Sequence, residues 1–251
     1  MKTRTYLLGL LTMVSAVANA GCFHDGATVD LRLGYTIGGT MPLGMPATIR
    51  CLNSYRMMFN PQIAATVNFP ITDVWGIETG LKAERKSMRT DAGVKGYHME
   101  MTQGEESIEG LFTGNVVTEY SSWGFTVPVQ ASCSVCRTVK LRFGPYLSLL
   151  FNHDFNGYAY DGYIRKDTPT GEKVEIGSTE DTRGDYSFAD DVRPVQLGLD
   201  LGVDWRLWKS VGVYADVQWG VTGAFKSSFK TIEQTMYPIY CTIGLTKQIQ
   251  L

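Results

Sequence analysis

Five cysteines, three histidines and a set of evenly spaced charged residues are the groups in this chain whose types and spacing could support chemistry. Cys133-Ser134-Val135-Cys136 has the spacing of a redox dithiol or of half a zinc site. A structural zinc needs a second pair of ligands, and a redox dithiol needs a helix or βαβ setting. There is no second C-x-x-C, no histidine beside this one and no such setting around it. Cys133 and Cys136 therefore read as a local disulfide or as two idle thiols in a tight turn. With Cys22, Cys51 and Cys241 the cysteines are odd in number, so they do not all pair within one chain. An enzyme acting on lipid or lipopolysaccharide would hold its nucleophile near a base. His24, His98 and His153 form no such constellation, and each reads as a solvated loop or rim position. The sequence thus offers no catalytic, metal or cofactor site.

Asp30, Arg32, Glu78, Lys82, Glu84, Lys140, Arg142, Asp200 and Asp216 have another property in common: each sits where apolar residues occupy every second position. In Val195–Arg206, Val195, Leu197, Leu199, Leu201, Val203 and Trp205 alternate with Gln196, Gly198, Asp200, Gly202, Asp204 and Arg206. Period two marks a β-strand with two unlike faces. The same alternation runs through Val29–Gly38, Gln62–Phe69, Trp75–Glu84, Trp123–Gln130, Val139–Asn152, Val211–Val221 and Ile239–Thr246. Eight strands result, each long enough to cross a bilayer at a tilt.

The connections alternate too. Pro70 to Asp73, Ser132 to Thr138 and Leu207 to Ser210 are short, whereas the intervening ones are long and polar, the longest running from His153 to Asp191. Short turns on one side and long loops on the other mark an outer-membrane barrel with both termini in the periplasm. The opposite orientation of the faces would give a soluble, lipocalin-like cup with an oily cavity. Loop asymmetry argues against the cup, and so do the aromatics. Trp75, Trp205 and Trp208 sit by the short turns and Tyr35, Phe151 and Trp219 toward the long loops, as two interfacial belts. The apolar face then meets lipid and the charges lie inside, where acids and bases must pair. Small inner residues leave room for Tyr146, Tyr214 and Tyr240. The fold read from this pattern is an all-β, eight-stranded antiparallel up-and-down transmembrane β-barrel with short periplasmic turns and long extracellular loops. Eight strands enclose no wide channel, which argues against a general porin.

Residues 1–20 read as a signal peptide, with Lys2 and Arg4 ahead of a short apolar run and Ala18-Asn19-Ala20 as a small-x-small cleavage site. Residues 21–251 are then the barrel domain. A rival reading lipidates Cys22, although Asn19 stands where such signals prefer Leu. Net charge is -2 and no basic run appears, which argues against nucleic acid as a partner. Beyond the signal no apolar stretch approaches the roughly 20 residues of a membrane helix.

GYTIGGTMPLGMPATIRCLNSY, SSWGFTVPVQASC, LRFGPYLSLL, YDGYIRKDTPTGEKVEIG and YPIYCTIGLTKQI together resemble PorT-type outer-membrane β-barrel proteins of Bacteroidota, over nearly the whole mature chain. The resemblance implies fold and outer-membrane location, reached by export. Through some relatives it also implies a link to a system that secretes proteins across that membrane. It supplies no residue-level motif. The function that follows is non-enzymatic, a filled barrel whose loops bind other molecules or serve outer-membrane machinery, in contact with outer-membrane lipid and lipopolysaccharide. An accessory role in secretion or a narrow gated pore is the alternative. Glu105, Glu106, Asp167, Glu172, Glu175, Glu180, Asp181, Asp185, Asp190 and Asp191 make the loops acidic. Tyr158, Tyr160, Tyr163, Tyr186 and Phe188 offer aromatic anchors for a binding surface, or else let the fifth and sixth strands rise as a hairpin above the membrane.

Overall fold

The computed structural model describes residues 26–250 apart from 45, 104, 105, 167, 230, 232 and 233. The signal segment 1–20, Cys22, His24, Glu105 and Asp167 lie outside the described residues. Eleven strands follow in order: β1 (Thr28–Pro42), β2 (Ile49–Met57), β3 (Pro61–Pro70), β4 (Trp75–Gln103), β5 (Glu106–Ser134), β6 (Val139–Lys166), β7 (Lys173–Ile176), β8 (Gly184–Ser187), β9 (Val195–Trp208), β10 (Val211–Gly220) and β11 (Met236–Gln250). Eight of them, β1, β3, β4, β5, β6, β9, β10 and β11, each pair antiparallel with the next. β11 returns to β1, with Leu33 opposite Leu245, and closes the ring. Closure leaves no open edge at membrane level, which a wall without water requires.

Alternation sorts the two faces of this wall. Leu197 and Leu201 are 51% and 54% exposed, while Asp200 between them is wholly buried. Leu33, Ile63, Phe143, Val217, Ile243 and Leu245 share the outer surface, and Trp75, Trp205, Trp208, Tyr35, Phe151 and Trp219 are exposed at its two ends. A soluble protein would place those side chains inside. The band therefore faces outward, as the inside-out reading requires, and the cup is excluded.

Three of the four long connections are largely strand, and the one between β10 and β11 is a loop. β4, β5 and β6 run 29, 29 and 28 residues, so the expected strand ends at Glu84, Trp123 and Asn152 are corrected. β2 continues the lane of β3 along β4, Met57 facing Met88 and Gln62 facing Glu84. β7 and β8 likewise share the lane of β9 along β6, so most of the supposed His153–Asp191 loop is sheet. β8 also meets β4 at Thr102 opposite Asp185, joining the far edges of the extended β4–β5–β6 sheet into a second, smaller ring. β-Bulges interrupt the register at Val94/Tyr97, Thr113/Asn115 and Trp123/Gly124, the last of them beside the expected strand end at Asn152. Each inserted residue shifts the phase of the alternation. Moreover, above the wall the apolar residues turn inward: Met88, Val94, Met99, Met101, Ile108, Phe112, Val116 and Ile164 form one buried cluster.

Candidate functional site

The lumen is filled by charge. Asp30 and Arg32 come from β1, Glu78 and Lys82 from β4, Lys140 and Arg142 from β6, Asp200 and Asp204 from β9 and Asp216 from β10, and all are linked in one network. Arg32 Nη1 lies 2.7 Å from Glu78 Oε1 and its Nη2 3.2 Å from Asp204 Oδ2. Lys140 Nζ joins Asp30 at 2.7 Å to Glu78 at 2.9 Å. Arg142 spans Asp204 through Nε at 2.7 Å and Asp216 through Nη2 at 2.6 Å. Lys82 Nζ closes the far side on Asp200 at 2.6 Å and Asp216 at 2.8 Å. Above this network Glu84 accepts from Lys86 Nζ at 2.8 Å, Gln62 Nε2 at 2.8 Å and Thr126 Oγ1 at 2.6 Å. Lys86 lies within cation–π range of the Tyr146 and Tyr240 rings.

Every residue named for this cluster from the sequence is therefore inside the barrel. Asp204 and Lys86 complete it. Both continue the period-two phase that exposes the others, Asp204 on the inner face of β9 and Lys86 one repeat beyond Glu84, so phase was the signal that could have found them. Close approach depends on glycine in two places. A Cβ at Gly202 would stand 2.7 Å from Arg142 Cζ, and one at Gly198 would stand 2.5 Å from the Tyr146 ring.

Over the lumen sits the apolar cap. Phe155 packs edge-on against Phe225 with centroids 4.8 Å apart, and Phe188 stacks on Tyr186 at 5.4 Å. The five loop aromatics are thus divided. Tyr186 and Phe188 are buried in the cap, where Tyr186 donates to Val117 O at 2.8 Å, and burial pushes its hydroxyl above the usual phenol range. Tyr158 and Tyr160 lie half-buried on the outer side of β6 with centroids 5.8 Å apart, and Tyr163 stands between Arg165 and Lys173. Tyr160 donates to Asp91 Oδ2 at 2.9 Å, and burial together with that bond pushes its hydroxyl up to about 12. Several loop acids are paired: Glu172 with Lys166, Glu175 with Lys173, and Asp185 with Arg183. Glu180 and Asp181 stay exposed in the β7–β8 turn.

Cys133 and Cys136 are free thiols, as are Cys51 and Cys241, so of the two readings of the C-x-x-C turn the structure has the unbonded one. Cys136 contacts Thr138 Oγ1 at 3.4 Å, and that hydrogen bonding lowers its thiol below the ordinary cysteine range. His98 on β4 faces Glu109 at 3.4 Å and His153 belongs to β6, so the two stand on different strands. Among the described residues no group of three or more His, Cys, Asp or Glu is placed to hold a metal ion. At the periplasmic end a cavity of about 290 Å³ opens between Asp30, Lys140, Asp204, Arg206 and the turn at Arg137. The arrangement can brace a wall and bind at its surfaces.

A family model described as "Outer membrane protein beta-barrel domain" matches residues 23–226. No curated protein matches the chain. Among solved structures, Ail, the attachment invasion locus protein of Yersinia pestis, in complex with the heparin analogue sucrose octasulfate, is similar at 8% identity and a TM-score of 0.37, over 90% of this chain and 100% of that one. The outer membrane protein OprG from Pseudomonas aeruginosa is similar at 12% identity and a TM-score of 0.34, over 91% and 98%.

Proposed function

This chain belongs to the outer membrane protein β-barrel domain family, and from that premise we propose that it acts without catalysis, as a plugged barrel that holds a folded extracellular extension out for binding. The observation that carries this reading is the ion-pair network across the lumen, with the apolar cap directly above it. Buried charges fixed by several partners each stiffen a wall and block ions at once. Tyr158, Tyr160 and Tyr163, with the exposed acids of the β7–β8 turn, form the surface that the extension presents. The PorT-type resemblance adds an accessory place in outer-membrane machinery to the same reading, with residues 1–20 directing export and absent from the mature protein. Conductance across a planar bilayer tests the plug: the purified protein should add no steady current. A stable ion conductance from the intact protein would replace this reading with the gated-pore one. Mass spectrometry of the mature amino terminus should find Gly21 and no lipid on Cys22.

A further inference from the structure

Three arginines lie on the same outer face where the wall leaves its apolar band. Arg85 and Arg89 share the outward face of β4, and Arg56 of β2 stands directly opposite Arg89. Opposed residues in such a pair hold their Cβ atoms about 4.5 to 5.5 Å apart, and like charges there repel. One carboxylate, Glu119 of β5, pairs with Arg89. Arg85 reaches only uncharged oxygens, Nη1 to Phe59 O at 3.4 Å and Nη2 to Ser121 Oγ at 3.5 Å, and lies 5.8 Å from the centre of the Trp123 ring. Its Nε is buried with no partner. Arg56 is exposed and makes no ion pair among the described residues. Asp91 and Asp154 share the face, but Asp91 accepts from Asn53 and Tyr160, and neither acid pairs with any of the three arginines. The lumen cations contrast with this, because each touches at least one carboxylate.

Height on the wall identifies the counter-ion. Ten residues separate Arg85 from Trp75 of the lower belt. At about 3.3 Å per residue and a tilt of about 40° they span roughly 25 Å, the height of the apolar band. Arg85 therefore lies at the outer headgroup level, beside the exposed Phe59. Below it Ile63 and Leu81 offer apolar surface, while Asn152, in register with it through Trp123, and Asn156 farther up β6 are exposed and Tyr158 is half-exposed. We infer that Arg56, Arg85 and Arg89 bind a phosphate of a glycolipid in the outer leaflet, the class that lipopolysaccharide represents. Its acyl chains lie on Ile63 and Leu81 and its sugars rise along the amides of β6. Arginine suits this ligand because its planar fork gives two parallel, charge-assisted hydrogen bonds to phosphate. The anion also relieves the repulsion between Arg56 and Arg89.

The test is native mass spectrometry of the purified full-length protein titrated with bis-phosphorylated lipid A. One lipid A should stay bound, and Arg85→Gln or Arg56→Gln should each weaken retention about tenfold, the loss of one charge-assisted contact. Lys209→Gln in the β9–β10 turn should leave retention unchanged. Lipid A stripped of phosphate should also bind about tenfold more weakly, a comparison that needs no variant and so stands even if a substituted barrel fails to fold. Equal retention of the stripped lipid, or of lipid A by both arginine variants, overturns the site. Displacement by excess inorganic phosphate would mark a free-phosphate site, and equal binding of phosphatidylglycerol would remove the sugar from the assignment; either result overturns the glycolipid.

Discussion

Asp216 sits between Lys82 and Arg142, 2.8 Å from one and 2.6 Å from the other, with no exposed surface. Removing its charge takes from Lys82 and Arg142 the carboxylate they share, in a space without solvent, and leaves Asp200 and Asp204 as their nearest remaining partners. Breaking a buried pair in this way costs about 3 to 5 kcal/mol, far more than loss of a surface pair. Asp216→Asn should therefore lower the urea midpoint for unfolding from lipid vesicles by an amount of that order, whereas Glu175→Gln, which loses an exposed pair with Lys173, should leave it unchanged. Equal effects from the two would mean that the network does not hold the wall. At this scale the sequence went far, because parity alone put Asp30, Arg32, Glu78, Lys82, Glu84, Lys140, Arg142, Asp200 and Asp216 on one face. It could not say that Arg142 chooses Asp204 and Asp216, since those partners lie one and two strands away around the ring and far along the chain. Nor could it divide Tyr186 from Tyr158: both alternate in β-strands, and only the curl of the upper sheet turns Tyr186 inward.

Each long strand carries two solvents along its length. In the lower part of β4 the apolar side chains Ile77 and Leu81 face out and Glu78 and Lys82 face in, while in the upper part Met88, Met99 and Met101 face in. The inversion predicts two separable defects. Leu201→Arg puts a charge against lipid near mid-wall, at a cost of about 2 to 4 kcal/mol, and should weaken the barrel itself in vesicle unfolding. Single cysteines at 201 and 200, on a background free of other cysteines, should react with a lipid-confined reagent at 201 and not at 200. Phe112→Ala removes a wholly buried ring from the cap, a change worth about 3 to 5 kcal/mol to the packing around it. Protease should then cut β4 and β5 above the wall, while the unheated protein still migrates as a folded barrel on a gel. Loss of the barrel form in that variant would show that cap and wall fold as one unit. The sequence located the lower half of every such strand and lost the upper half, because the bulge at Trp123/Gly124 breaks the period near the level where the solvent changes and above that level the apolar side chains turn inward.

Taken whole, the molecule is one antiparallel ring with its three tight turns at one end and its extension at the other. Trypsin added to intact cells should reach Lys173 or Arg183, which flank the β7–β8 turn, and should spare Arg137 and Lys209 in the short turns until the cells are lysed. The reverse pattern would mean that the barrel stands the other way up. The number of membrane strands, the lipid-facing side and the charged filling were all legible in the sequence, because alternation and turn length are properties of neighbouring residues and survive in any single segment. Tertiary structure alone decided the rest: Arg32 finds Asp204 across 172 positions of chain, β8 bridges β6 to β4 to close the cap, and Arg56 comes to face Arg89. Those contacts depend on strand register and on how far the sheet curls, and both are fixed only when the ring closes and its lumen is packed.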